Sequence, residues 1–118
     1  MDVSMFHNPK CSKSRETLKL LNEEGIEPDI ILYLTTPPTQ KELFEILKKL
    51  KMKPKELIRF KEPAAEKLKI KSSDNRPDAD WVKLMVENPI LIERPIVITS
   101  EKAVIGRPPE KVLDLIEN

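Results

Sequence analysis

Two short apolar runs with one helix-length stripe between them constrain this chain more than any other feature. Residues 3–6 (Val-Ser-Met-Phe) and 29–34 (Asp-Ile-Ile-Leu-Tyr-Leu) are apolar and β-branched enough for buried strands. Between them Thr17, Leu18, Leu20 and Leu21 recur at the spacing of one helix face. Gly25 follows where a helix exit favours glycine. Strand, helix and strand at this spacing form a βαβ unit, with parallel strands and a right-handed crossover. The turn that leaves the first strand then lies beyond its carboxyl end, where ligands of open α/β sheets collect.

That turn reads His7-Asn8-Pro9-Lys10-Cys11-Ser12-Lys13-Ser14-Arg15 and holds the only cysteine of the chain. Asn8-Pro9 separates strand from helix, because the residue before a proline is biased out of helical geometry. Ser12 or Ser14 is the expected helix cap. Cys11 is therefore placed at or just before a helix N-terminus, where unpaired N–H groups and the dipole favour an anion such as a thiolate. A buried structural cysteine is the bland alternative, but Lys10, Lys13 and Arg15 do not form core surroundings. His7, at the end of the first strand, is a candidate to face the sulfur and help set its ionisation. A packed strand-end histidine is the competing reading.

The rest of the chain supplies helices and then a hairpin. Thr39 and Glu42 form a capping-box pattern ahead of the stripe Leu43, Ile46, Leu47 and Leu50. Pro54 opens a short helix, another is expected near residues 64–67, and Trp81, Leu84 and Met85 mark one more, starting near Asp78 or Asp80. Trp81 and Met85 read as core. Pro89 ends that helix. Residues 96–98 and 103–105 are expected to pair as a hairpin, and Pro108-Pro109-Glu110 starts a last helix with Val112, Leu113 and Ile116 on one face. This order predicts an α/β, thioredoxin-like fold: a mixed four-stranded sheet with a helical insertion between its βαβ and ββα halves. We expect one domain over residues 1–118, its core about 1–38 and 89–118 and its insertion about 39–88.

Composition narrows the function. A chain of 118 residues can bury a real core without staples. A formal net charge of +1 gives no field to attract nucleic acid or an anionic membrane, and no apolar stretch approaches a membrane span. One cysteine excludes an internal disulfide and a cysteine-based zinc site, and one histidine argues against a histidine metal site. An unpaired cysteine without a signal-peptide pattern fits a reducing cytoplasm, and a monomer is expected.

A thiolate at a helix N-terminus is half of an oxyanion-handling site; the other half is cations. Arginine suits that role because its planar fork makes paired charge-assisted bonds. The chain has only five arginines among 21 basic residues. Arg94 precedes Pro95 and the third strand, and Arg107 follows the fourth, so antiparallel pairing lets both converge on one sheet edge. Arg59, from the helical middle, is expected to close the site. In a thioredoxin-like fold Arg94-Pro95 is also the proline loop facing the cysteine, commonly a cis bond.

Four ordered motifs make the chain recognisable. His-Asn-Pro-Lys-Cys-Ser-Lys-Ser-Arg-Glu-Thr-Leu, Tyr33-Leu34-Thr35-Thr36-Pro37-Pro38-Thr39, Pro89-Ile90-Leu91-Ile92-Glu93-Arg94-Pro95-Ile96-Val97 and Gly106-Arg107-Pro108-Pro109-Glu110 resemble the glutaredoxin-dependent arsenate reductase family over nearly the whole chain. The form is most like its short, YfgD-like subgroup. The resemblance implies a thiolate at Cys11 that attacks arsenate and an arginine triad of Arg59, Arg94 and Arg107 that holds the oxyanion. It implies His7 and Ser14 in supporting positions. It also implies glutathione as co-substrate, glutaredoxin as partner, no bound cofactor and release of arsenite. Ser12-Lys13 stands where the best-studied members have Gly-Thr. Two other readings share the residues: a glutathione-linked thiol oxidoreductase with another substrate, and a binding protein akin to the Spx regulators of RNA polymerase. Many Spx regulators carry Cys-x-x-Cys, whereas the second position here is Ser14.

Overall fold

The structure is a computed structural model and describes residues 2–116. In chain order it forms β1 (Ser4–Phe6), α1 (Ser12–Glu23), β2 (Asp29–Ile31), α2 (Gln40–Leu50), α3 (Pro63–Lys67), α4 (Asp78–Glu87), β3 (Ile96–Ile98), β4 (Ala103–Ile105) and α5 (Leu113–Ile116). The four strands form one sheet in the order β2-β1-β3-β4. β1 runs parallel to β2 and antiparallel to β3, and β3 pairs antiparallel with β4. This is the expected mixed thioredoxin-like sheet. The chain divides into two compact units: one takes the stretches up to Thr36 and from Arg94 onward, the other is Pro37–Glu93.

In the sheet unit, strand alternation decides what is buried where. Met5 and Val97 are register partners, and with Val3, Leu21, Val112 and Leu115 they make one buried cluster. α1 thus packs on one face of the sheet together with the C-terminal helical segment. Phe6 and Ile96 are the next register pair and point to the opposite face, where Phe6 stacks on Tyr33 with ring centroids 5.5 Å apart. α1 ends as the sequence predicts. Gly25 takes a positive φ of 79°, its N–H donates to Asn22 O at 3.0 Å, and the Ile26 N–H donates to Leu21 O at 2.9 Å. That is the paired-bond exit that glycine permits without a Cβ penalty.

Two expectations for this unit need correction. The second strand is neither six residues long nor buried: β2 covers Asp29–Ile31, and Ile30, Leu32 and Leu34 are exposed. β2 is the edge of the sheet, and a turn closed by the Thr35 N–H on Leu32 O stops it. The last helix begins as a 3-10 turn, Pro109–Val112, before α5. Its buried face is Val112 and Leu115, with Leu113 only half-buried.

In the Pro37–Glu93 unit, the capping box at α2 is present in full. The Glu42 N–H donates to Thr39 Oγ1 at 3.1 Å, and the Thr39 N–H donates to Glu42 Oε1 at 2.9 Å. Leu43, Ile46 and Leu47 are buried below it. Trp81 and Met85 of α4 are core, and Phe60 meets the Trp81 ring edge-on at 5.7 Å. Chain segments 57–59 and 91–93 pair around the Ile58–Ile92 bridge. The Arg59 N–H donates to Leu91 O at 2.8 Å and the Glu93 N–H to Leu57 O at 3.0 Å.

Candidate active site

The turn between β1 and α1 is fixed by hydrogen bonds among its own residues, most of them made by side chains. The Cys11 N–H donates to Asn8 O at 2.9 Å, the Lys10 N–H to Asn8 Oδ1 at 3.0 Å, and Arg15 Nη1 to Pro9 O at 2.9 Å. The asparagine side chain thereby mimics a backbone turn two residues on. The helix cap is Cys11 itself, with φ −96° and ψ 123°, and it makes no side-chain cap bond. The sequence-based expectation that Ser12 or Ser14 caps α1 is not met, and Ser12 is the first helical residue. Ser14 is fully buried, and its hydroxyl is already engaged. It accepts the Asn8 N–H at 3.0 Å and bonds His7 Nδ1 at 2.6 Å. The half-buried sulfur of Cys11 thus sits at the positive end of α1, whose first turn carries no acidic residue.

His7 is 7% exposed. Burial first, and the positive charge of Arg15 second, hold its pKa below the ordinary 6.5. At neutral pH the ring is therefore uncharged, and its Nδ1 bond to Ser14 locks the turn rather than adding charge. Lys13 pairs with Glu16 at 3.6 Å along the helix surface, both being well exposed.

The cation facing the thiol comes from the far end of the hairpin. Arg107 Nη2 donates to Cys11 Sγ at 3.7 Å, and Arg107 Nε donates to Arg94 O at 2.7 Å. The two arginines do meet, but through the backbone of one and the side chain of the other. Gly106 sets how closely β4 approaches α1. A Cβ there would lie 2.6 Å from Thr17 Oγ1 and 2.9 Å from Pro95 Cγ, and the Gly106 N–H donates to Pro95 O at 2.9 Å. Arg94-Pro95 is cis, as expected for the proline loop; Arg107-Pro108 is cis as well.

The sheet unit thus brings together Cys11, His7, Ser14, Arg94, Pro95 and Arg107. Arg59 belongs to the other unit, where Glu62 hydrogen-bonds its Nη1 and Glu93 Oε1 lies 3.6 Å from its Nε. Sequence reasoning missed Asn8, Thr17 and Gly106 as builders of the site. Gly106 had a signal, being one of only two glycines in the chain. Thr17 was read as part of an apolar stripe, although it is fully buried with its hydroxyl donated to Lys13 O at 2.8 Å. Among the described residues no group of three His, Cys, Asp or Glu side chains could hold a metal ion. No helix among them is long and apolar enough to cross a membrane.

Fold and turn together define a thioredoxin-like protein with one thiol held between a helix N-terminus and an arginine. The ArsC family model matches residues 6–115, and the chain belongs to that family. It is 49% identical over 115 residues to the uncharacterized protein YfgD of Escherichia coli, covering 97% of this chain and 96% of that one. It is 45% identical over 117 residues to an arsenate reductase of Haemophilus influenzae, covering 98% and 100%. A solved arsenate reductase from Vibrio cholerae superposes with a TM-score of 0.91 at 43% identity, over 97% of each chain.

Proposed function

We propose that this chain is an arsenate reductase in which the Cys11 thiolate is the nucleophile and glutathione with glutaredoxin supplies the electrons. The observation that carries the reading is the Arg107 guanidinium, 3.7 Å from Cys11 Sγ and tethered by its Nε to a neutral carbonyl. That placement sets a guanidinium beside the sulfur, where an oxyanion attacked by the thiolate would meet it. Family membership and the names of the relatives at 45% and 43% identity support arsenate as the oxyanion.

In this mechanism Arg107, Arg94 and the first-turn N–H groups of α1 hold arsenate with its arsenic toward the sulfur. The thiolate forms an S–As bond, and one arsenate oxygen leaves as water after taking up protons. Glutathione thiols then take the place of the enzyme sulfur. Arsenic(V) accepts two electrons as two thiols join in a disulfide. Overall, arsenate and two glutathione thiols give arsenite, one glutathione disulfide and water. A single protein cysteine suffices because the second thiol arrives from outside. We place this chemistry in the cytoplasm, where glutathione is reduced, and in a monomer.

The test is NADPH oxidation coupled through glutathione reductase, glutathione and glutaredoxin, with and without arsenate. We expect arsenate-dependent turnover in the native chain and background rates in Cys11→Ser. A thiol that still alkylates at Cys11 but gives no arsenate-dependent turnover would transfer the reading to a glutathione-linked oxidoreductase with another substrate.

A further inference from the structure

Two hydroxyl residues of α1 are fully buried, Ser14 and Thr17. Ser14 is taken up by His7 and Asn8; Thr17 faces the end of β4. Thr17 Oγ1 donates to Lys13 O at 2.8 Å, a carbonyl of the first helical turn that the Thr17 N–H also meets in the i→i−4 ladder. One residue thus grips the first turn twice. A hydroxyl bonded four residues back also fixes the χ1 of a threonine, which otherwise divides between two rotamers. Both arms of that fixed side chain lie against Gly106, whose Cβ, if it had one, would stand 2.6 Å from Thr17 Oγ1 and 3.2 Å from Thr17 Cγ2. Pro95 holds Gly106 as well. The Gly106 N–H donates to Pro95 O at 2.9 Å, and Pro95 Cγ is 2.9 Å from the same Cβ position. The next residue is Arg107, whose Nη2 reaches Cys11 Sγ at 3.7 Å. The contacts close a ring: Cys11, the first turn of α1, Thr17, Gly106, Arg107 and back to the sulfur.

We infer that Thr17 is a positioning residue for the oxyanion site, its hydroxyl setting the gap between Cys11 Sγ and Arg107. The inference rests on the reading in which those two groups handle the oxyanion, and it acts through Lys13 and Gly106 rather than by contact with substrate. An oxygen is smaller than a methyl group. Valine, the isostere, puts a methyl where the oxygen now makes the tighter of the two contacts with Gly106, and it releases Lys13 O. Gly106 is already held by Pro95, so the added bulk displaces Arg107 or the first turn relative to the sulfur. Serine keeps the hydroxyl and its bond and lacks only the methyl. The hydroxyl, not the side-chain volume, is therefore the quantity that sets the site.

The experiment measures how arsenate and, as a redox-inert probe, phosphate protect Cys11 of the full chain from iodoacetamide. Mass spectrometry gives the half-protecting concentration for the native chain, Thr17→Val, Thr17→Ser, Thr17→Ala and Arg107→Ala, with a thermal midpoint for each. We expect Thr17→Val and Thr17→Ala to need about two- to tenfold more anion, the range for one neutral hydrogen bond. Thr17→Ser keeps the native value even though the loss of a buried methyl lowers its thermal midpoint. A role in packing alone would make protection follow the midpoint. Native protection in Thr17→Val overturns the inference, as does a loss in Thr17→Ser equal to that in Thr17→Ala. If Arg107→Ala still loses protection in those cases, the oxyanion reading stands without Thr17. If neither anion protects the native chain, or Arg107→Ala is protected as well as the native chain, both fall. Should Thr17→Val not fold, Thr17→Ala and Thr17→Ser, which differ only by the hydroxyl, decide the same question.

Discussion

Two arginines of this chain sit in opposite electrostatic settings. Arg107 is steered by a neutral carbonyl, that of Arg94, at 2.7 Å. Arg59 is steered by two carboxylates. Both tethers fix a flexible side chain, but only the first is shown to place it against the thiol. A guanidinium pinned by carboxylates must give up a partner before it can hold another anion. The nature of the partner separates the two cases.

The difference makes a ranked set of expectations. Arg107→Ala should have the larger effect, lowering kcat/KM for arsenate by about ten- to a hundredfold, the range for losing a hydrogen bond to a charged group. Arg59→Ala should cost about two- to fivefold, since its charge is already compensated. Steady-state kinetics on both variants measures the gap, and equal losses would erase the distinction. Arg107→Lys should recover only part of the loss, because an ammonium cannot bond Arg94 O and Cys11 at once with a fixed fork.

Packing sharpens the same contrast. Gly106 is the seat on which Thr17 and Pro95 close, so Gly106→Val forces β4 away from α1 and takes Arg107 with it. The expected loss of stability is about 1–3 kcal/mol by urea unfolding, as for other overpacked sites. Cys11 alkylation should change alongside it.

The smallest effect concerns His7. Its folded pKa lies below the ordinary 6.5, so the unfolded chain binds the proton more readily. The stability that neutral His7 contributes is complete above about pH 6.5 and is lost as pH falls through the folded value. Unfolding free energies measured across that range should fall more steeply for the native chain than for His7→Asn. Parallel curves would mean that His7 is not buried as a neutral ring.

Much of the frame was readable from local chemistry. The Thr39–Glu42 box, the Gly25 exit and the 96–98/103–105 hairpin are each set by residues a few positions apart. What escaped was tertiary. β2 is short and exposed because it is the sheet edge, which an apolar run does not reveal. Ser14 does not cap α1 because the Asn8 N–H and His7 reach it first. The pairing of Arg59 with Glu93 spans two distant segments, and no spacing rule announces it. At the site the residue types were legible, while the tethers that hold each arginine in place were not.

The most direct test is the rate of Cys11 alkylation by iodoacetamide, followed by mass spectrometry with and without arsenate, in the native chain and in Arg107→Ala. If Arg107 holds an oxyanion against the sulfur, arsenate slows alkylation of the native chain, and that protection is lost in Arg107→Ala. Equal protection in both proteins, or none in the native chain, would contradict it.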